Sequence, residues 1–279
     1  MTLGFAHFFF GLEVRMKPIR PIVLAFALLS VAASAHAQGI NLAWNNCITQ
    51  GASAADKAYA CDGSANGIPF RVVMSFIAPA NLGNFVGIQG VVDVRSSNAD
   101  PLPDWWKLGI GECRDGNFTF PASLTGVGTG TTGVCRNPWV GANTGGGFAW
   151  YTENKGDNPE TPTPSPGWGR VKVAFARDTE TSLTQGQQYM VGAFTLDTFN
   201  DIDSGSGECV GCSTPACLVL NQVELYQTVG SPGGDILVLN TNGTRQHVTW
   251  QGGAIGGNGC PLETPTRRTT WGSLKSTYR

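Results

Sequence analysis

The chain has 279 residues, and its charge is distributed unevenly. Residues 38–262 carry 11 Lys and Arg against 18 Asp and Glu, a net charge of −7, whereas residues 263–279 carry four basic side chains against Glu263. An acidic body without a basic stripe argues against nucleic acid as a partner. After residue 37 no apolar run reaches the ~20 residues that a transmembrane helix needs, so we expect no membrane span there.

The first element is a leader over residues 1–37. From Met16 the chain reads MKPIRPIVLAFALLSVAASAHAQG: a basic start, a short apolar run and a small-residue cleavage motif ending at Ala37. These are the three parts of a secretory signal peptide. We expect residues 16–37 to direct export, with cleavage after Ala37 and the mature chain outside the cell or at its surface. Residues 1–15 do not fit this pattern, so we expect translation to start at Met16.

Strand patterns then follow one another. The segments rich in β-branched and aromatic residues are 68–77, 85–95, 169–176, 187–199, 216–227, 235–239 and 246–251, with shorter candidates at 104–111 and 148–152. Clusters of Gly, Asn, Asp and Pro separate them, and no helical periodicity is sustained before the tail. We predict an all-β fold, one antiparallel, jelly-roll-like β-sandwich over residues 38–251. The Pro-rich stretch 153–169 is interpreted as a surface loop rather than a linker between domains.

All eight cysteines follow the leader: Cys47, Cys61, Cys113, Cys135, Cys209, Cys212, Cys217 and Cys260. An even number of cysteines in an exported chain indicates disulfides. Metal or redox use of the Cys-x-x-Cys at 209–212 is the less favoured alternative. Closeness along the chain favours the pairs Cys47–Cys61 and Cys113–Cys135. It also favours a partner for Cys217 within the 209–217 cluster and a remaining cluster member for Cys260.

Eight tryptophans are many for this length. Trp105 and Trp106 are adjacent, and on a strand their side chains would point to opposite faces, one toward the core and one toward solvent. Exposed aromatic rings can stack on sugars, so Trp105, Trp106 and Trp168 are candidate ligand-binding residues. Packing in the core is the alternative.

The segment DTFNDIDSGSGE (197–208) is the best candidate for a metal site. Asp201, Asp203 and Glu208 supply hard oxygen ligands among glycines, which suits calcium. The spacing does not match an EF-hand loop, and a solvated acidic turn is the alternative. No other cofactor is expected.

Catalytic patterns are sparse. His247 is the one histidine beyond the leader, it lies in a strand pattern, and neither a G-x-S-x-G nor an H-E-x-x-H motif is present. Asp93, Glu153 and Glu224 are strand carboxylates that could serve glycoside chemistry if two of them lay ~5–9 Å apart across a cleft.

Residues 252–279 are predicted to be a flexible linker followed by a basic tail. Trp271, Leu274 and Tyr278 would share one face of a short helix. About ten residues are too few to be helical alone. Together with Lys275 and Arg279 they form a candidate recognition tail for a sorting machine, the cell envelope or a partner; a frayed terminus is the alternative.

Several of these motifs occur together: the leader, NLAWNNC, LPDWW, GECVGCSTPACLVLN, VTWQG and the ending TRRTTWGSLKSTYR. The combination resembles a group of uncharacterised exported bacterial proteins that share a β-rich body, paired cysteines and a short Trp-Gly…Lys…Tyr-Arg terminus. The resemblance implies secretion and a common architecture, and it transfers no catalytic residue.

The sequence therefore favours an exported, non-catalytic protein with an adhesive, ligand-binding or structural role at the surface. Its expected partners are a polysaccharide or a component of the envelope or sorting machinery. One alternative is a carbohydrate-binding module that uses exposed tryptophans. Another is a glycoside hydrolase or lyase on a jelly roll.

Overall fold

The computed structural model describes residues 39–48, 53–61, 69–96, 101–121, 135–152, 167–198, 208–239 and 245–253. They belong to one compact unit, His36–Arg279. The described elements are β1 (Gly39–Trp44), β2 (Asp56–Lys57), β3 (Phe70–Ile77), β4 (Leu82–Ser96), a 3-10 helix (Asp104–Trp106), β5 (Phe118–Thr119), β6 (Cys135–Arg136), β7 (Thr144–Thr152), β8 (Trp168–Leu183), β9 (Gln188–Leu196), β10 (Ala216–Gln227), β11 (Ile236–Leu239) and β12 (His247–Trp250). No α-helix occurs within these ranges, and the fold is all-β as predicted.

The strands form two sheets. In the first sheet the order is β1, β3, β9, β5, and β6 also pairs with β9. In the second sheet the order is β2, β12, β10, β4, β8, β7, and β11 also pairs with β10. Most pairs are antiparallel, whereas the short pairs β2–β12 and β6–β9 are parallel.

One hydrophobic core is shared by the two sheets. In β8 the alternation seen in the sequence becomes a buried row of Val171, Val173 and Phe175, because successive side chains on a strand point to opposite faces. Gly90 of β4 marks the close approach of the sheets. A Cβ atom at this position would lie 2.7 Å from Met74 Cε of β3 and 3.1 Å from Val173 Cγ2 of β8.

Strand β10 changes its inward face at a bulge. Leu220 is paired with Val92 of β4 and Gln222 with Val91, so Asn221 is the extra residue between them. Before the bulge, Leu218 and Leu220 join the core; after it, Val223 and Leu225 do. A one-residue insertion reverses the direction of every later side chain. The second half of β10 therefore turns its polar residues outward.

Three disulfides connect the described residues: Cys47–Cys135, Cys61–Cys212 and Cys113–Cys209. The predicted pairs Cys47–Cys61 and Cys113–Cys135 are wrong, because sequence separations of 88, 151 and 96 residues are bridged instead. Cys217 is also disulfide-bonded. It cannot pair within its cluster, since Cys209 and Cys212 already have partners. Cys260, which was expected to pair with a remaining member of the cluster, lies outside the described residues.

The longer predicted strands are confirmed, and β10 has the predicted bounds. Strand β8, predicted to end at residue 176, continues to Leu183. The strand predicted at 104–111 is wrong. Its first residues form the 3-10 helix, and turns follow between residues 109 and 116. Strands β1, β2, β5 and β6 were not predicted; the last three have only two residues each.

Candidate functional site

The bulge at Asn221 creates a polar surface on the outward face of the second sheet. One row across β10, β4, β8 and β7 consists of Glu224, Gln89, Ala174 and Gly147. The next row consists of Tyr226, Gly87, Ala176 and Gly145. Strands are about 4.8 Å apart, so each row spans about 14 Å. We call this surface the outer platform, defined as Gln222, Glu224, Tyr226, Gln89, Ala174, Ala176, Gly145 and Gly147.

The β8 and β7 side of the outer platform is open and flat. Ala174, Ala176, Gly145 and Gly147 are exposed. A Cβ atom added at Gly145 or Gly147 would meet nothing within 4 Å. Small residues in adjacent strands thus leave a level area beside the larger polar side chains of β10 and β4.

The polar side of the outer platform is organised around Tyr226. Its hydroxyl lies 3.0 Å from Glu224 Oε2 and 3.2 Å from Gln89 Oε1. A phenolic hydroxyl has one proton to donate, and a carboxylate is the stronger acceptor. The Gln89 oxygen can then accept from a ligand, and the Gln89 amide nitrogen donates no hydrogen bond to a described residue. Donor and acceptor positions therefore lie side by side, as a polyhydroxylated ligand requires.

The other end of the same face buries an ion pair. Arg170 of β8 donates through Nε and Nη2 to the two carboxylate oxygens of Asp93 on β4, at 2.6 and 2.9 Å. The two residues are direct cross-strand neighbours. Their side chains are 6% and 1% exposed. The pair thus links β4 to β8 within the sheet, and Asp93 has no open side for a substrate.

Arg95 lies next to this pair. Its guanidinium carbon is 2.8 Å from the centre of the Trp168 ring. Burial lowers the pKa of Arg95 to about 10, while the Asp93 carboxylate opposes that shift. Arg95 therefore remains charged at neutral pH, and one face of the Trp168 ring is occupied by a cation.

Trp105 and Trp106 lie in the core. Both are almost fully buried, at 1% and 0% exposure. Trp105 stacks on Trp250 with ring centres 5.8 Å apart, and Trp106 meets Trp250 edge-on at 5.9 Å. The expectation that one of the pair faces solvent is wrong, because the residues belong to a 3-10 helix rather than to a strand. Of the three predicted ligand-binding tryptophans, only Trp168 is partly exposed.

The carboxylates considered for glycoside chemistry do not come together. Asp93 is opposite Val219, and Glu224 is opposite Gln89. Gln89 and Asp93 are four positions apart on β4, so Glu224 and Asp93 are offset by about 13 Å along the strands. Two carboxyl groups that act on a glycosidic bond lie roughly 5–9.5 Å apart. The third candidate, Glu153, lies outside the described residues.

His247 faces no catalytic partner within the described ranges. It is half-buried on β12, opposite Val219 of β10. Burial lowers the pKa of His247, and the charge of Arg245 lowers it further. The imidazole is thus neutral at pH 7, and no carboxylate of the described chain orients it.

Several predicted residues lie outside the described ranges. These are the leader, Asp201 and Asp203 of the proposed calcium loop, Cys260, and the tail residues Trp271, Leu274, Lys275, Tyr278 and Arg279. Glu208 is described and partly buried. Where side chains are described, no group of three or more His, Cys, Asp or Glu is placed to share a metal ion. None of the described helical structure is long and apolar enough to cross a membrane.

Tyr226 and Gln89 were missed by the sequence analysis, and Glu224 was considered only as a catalytic carboxylate. One feature of the sequence could have indicated this face. In ACLVLNQVELYQ the apolar positions change from even to odd numbers across Asn221 and Gln222. Such a phase change indicates a bulge and predicts that Gln222, Glu224 and Tyr226 share one face.

Comparisons with known proteins identify no family. No protein-family model matches the chain, and no curated protein matches it. One solved structure, described as "Putative membrane anchored protein" from Corynebacterium diphtheriae, shares 12% identity over 81% of this chain and 38% of its own, with a TM-score of 0.24. This chain thus spans well under half the length of that structure, and a TM-score this low establishes no common fold.

Proposed function

We propose that this chain is an exported, non-catalytic binding protein and that the outer platform is its ligand surface. The observation that carries the proposal is the row of Glu224, Gln89, Ala174 and Gly147 across four strands, with Tyr226 beside it. It combines polar groups of both kinds with a level, open area. A rigid sheet supports every member of the row.

Polysaccharide is the ligand class that fits this surface best. Sugar hydroxyls both donate and accept hydrogen bonds, and Gln89 and Gln222 offer amide groups that do the same. A Cβ atom added at Gly147 would meet nothing within 4 Å, so a sugar ring has room to lie over Gly147 beside the small side chain of Ala174. This surface replaces Trp105 and Trp106 as the proposed glycan-binding residues.

Export and a sandwich architecture complete the proposal. Three long-range disulfides are compatible with an oxidising compartment. Two sheets that share one core are what a β-sandwich requires. A jelly-roll order of strands, a signal peptide at residues 16–37 and a recognition tail remain parts of the hypothesis.

A binding assay with blocking variants tests the function. The oxidised, secreted protein is presented with a panel of neutral and acidic polysaccharides by affinity electrophoresis. Gly147→Leu places a side chain on the platform where space is open, and Tyr226→Ala removes the central ring. Gly83→Leu is the matched control, because a Cβ atom at Gly83 also meets nothing within 4 Å.

We expect both platform variants to weaken binding at least tenfold, about 1.4 kcal/mol, as for a residue at the centre of an interface. Gly83→Leu should bind as the parent protein does. If no polysaccharide binds, or if the platform variants bind like Gly83→Leu, the proposed function is rejected.

Self-assembly through strand β7 is a second candidate. This nine-residue strand pairs with β8 alone among the described strands. Residues 144–149 are exposed. The strand contains no charge and no proline, the usual protection of a sheet edge. A second copy of the chain could therefore add a strand here, as in a filament or surface layer.

Light scattering over a concentration series tests the assembly candidate. Ala149→Lys places a charge on the edge strand and should keep the protein monomeric. Ala174→Lys places the same charge on β8, one strand away from the edge, and should leave association unchanged. A parent protein that stays monomeric at high concentration eliminates this candidate.

A further inference from the structure

A second feature lies where residues of the two sheets meet, next to the end of the outer platform that Ala176 and Gly145 form. A pocket of about 80 Å³ is lined by β6 and β9 of the first sheet and by β8 of the second. Since a cavity needs about 10–15 Å³ of such volume to hold one water molecule, the pocket has room for a small group. Two arginines, Arg136 and Arg177, line it, and no acidic residue does.

A large bulge in β8 shapes one wall. Between Phe85 and Gly87, β4 contains a single residue, whereas β8 contains residues 177–180. Arg177 is the first residue of this bulge. Its Nη1 donates to the Pro138 carbonyl oxygen, which holds the guanidinium against the segment that follows β6. Bulges of this kind commonly re-aim a side chain toward a functional site.

Both arginines have hydrogen-bonding capacity that the described chain does not use. The Nε atoms of Arg136 and Arg177 are buried and have no hydrogen-bond partner among the described residues. The side chain of Arg136 makes no hydrogen bond or ion pair with any described residue, although Arg136 directly follows Cys135 of the Cys47–Cys135 disulfide. A buried charged donor without a partner destabilises a protein. A negatively charged ligand in the pocket would neutralise the two guanidinium groups and offset part of the cost of burying them.

The carboxylates close to the pocket are engaged elsewhere. Asp178 accepts hydrogen bonds from the backbone and side-chain nitrogens of Asn143. Glu180 accepts from the Thr228 hydroxyl. Burial lowers the pKa of Arg177, and the charge of Asp178 only partly opposes this. The pocket thus keeps an excess of positive charge.

Tyr189 supplies a further donor. Its hydroxyl oxygen accepts from the Thr184 backbone N–H at 2.8 Å. The hydroxyl proton has no acceptor among the described residues, and Tyr189 lines the pocket. Two guanidinium groups and a phenol on one small pocket are the donor set of an oxyanion site.

We propose that this pocket binds a single oxyanion group, a carboxylate or a sulfate-type group, through Arg136, Arg177 and Tyr189. The site is distinct from the outer platform and does not depend on the function proposed for it. An acidic group on a larger ligand, or a free inorganic anion, would satisfy the same donors.

Calorimetric titration of the full-length oxidised protein tests the site. The probes are sodium sulfate, inorganic phosphate, acetate and glucuronate, each against sodium chloride at equal ionic strength. Arg136→Gln removes a guanidinium that makes no described hydrogen bond, so the fold should be retained. Arg71→Gln, on β3 and outside the pocket, is the matched control. Tyr189→Phe removes the hydroxyl alone.

We expect saturable binding with one site per chain and about tenfold to a hundredfold weaker binding in Arg136→Gln, as for loss of a charged hydrogen bond. Tyr189→Phe should weaken it by less, while Arg71→Gln and Tyr226→Ala leave it unchanged. Tighter binding of sulfate and phosphate identifies a sulfate-type group as the ligand of the pocket, whereas tighter binding of acetate and glucuronate identifies a carboxylate. If no probe binds beyond the chloride reference, or if Arg136→Gln behaves as Arg71→Gln, the proposal is wrong.

Discussion

The buried pair of Asp93 and Arg170 gives the sharpest test of how the second sheet is held together. Replacing Asp93 by Asn keeps the shape of the side chain and removes its charge. Arg170 and Arg95 would then be two buried cations without the carboxylate that neutralises them. Removing one partner of a buried ion pair destabilises a protein by about 3–5 kcal/mol.

We expect a loss near the lower limit, about 3 kcal/mol, because Asn still accepts one hydrogen bond. For a domain of 150–250 residues, 1 kcal/mol corresponds to about 2–4 °C in Tm. The variant should therefore unfold about 6–12 °C below the parent protein. Urea denaturation with the disulfides intact and differential scanning calorimetry measure the change.

Two controls separate charge burial from the loss of a hydrogen bond. Asp178→Asn alters an exposed carboxylate that also accepts hydrogen bonds and should change stability much less. The double variant Asp93→Leu with Arg170→Leu should recover most of the loss, because apolar replacement of a buried pair is often neutral. A value for Asp93→Asn equal to that for Asp178→Asn would refute the reasoning.

Three further predictions follow from the described structure. Gly146→Ala should destabilise the folded protein by about 1–3 kcal/mol, because the added Cβ atom would meet the Ala174 carbonyl oxygen and the Phe175 ring. Gly145→Ala is the control, since the same atom there meets nothing within 4 Å. Thermal melts of the two variants measure the difference. Because burial lowers the pKa of His247 below 6.5, its contribution to stability is complete above pH 6.5 and is lost as pH falls through the lowered pKa. His247→Gln should flatten that dependence in melts between pH 5 and 8. Replacing the cysteines of the Cys113–Cys209 bridge, which spans 96 residues, should lower the free energy of unfolding by about 4.7 kcal/mol on the chain-entropy model. Urea denaturation measures the change, and an unchanged midpoint would contradict this prediction.

The fold class and most of the long strands could be predicted because they depend on local patterns. Strand β10 has the predicted bounds, and the alternation in β8 gives its buried row directly. The two-residue strands β2, β5 and β6 could not be found in this way. So short a strand shows no periodicity, and it forms because a neighbouring strand, β9 or β12, offers free backbone groups.

The candidate sites were predicted less well, because they depend on contacts between residues that are far apart in the chain. Adjacent tryptophans suggested one exposed ring, yet Trp105 and Trp106 both pack on Trp250, far away in the chain. The order of cysteines suggested short loops, yet Cys61 bonds to Cys212. The pocket of Arg136 and Arg177 has no sequence motif, because the residues that line it come from strands of two different sheets.

What the sequence determines by itself is therefore the property that each segment carries alone: period-two alternation, turns between strands, an even set of cysteines and an acidic body. Those features dictate an all-β, disulfide-bonded protein, because strand periodicity and turn chemistry act over a few residues. The tertiary structure decides which strands become neighbours and which cysteines meet. It also decides, through the bulges at Asn221 and at 177–180, where Tyr226 and Arg177 point. Those outcomes depend on contacts between distant segments, which share a surface only after the two sheets have closed on one core.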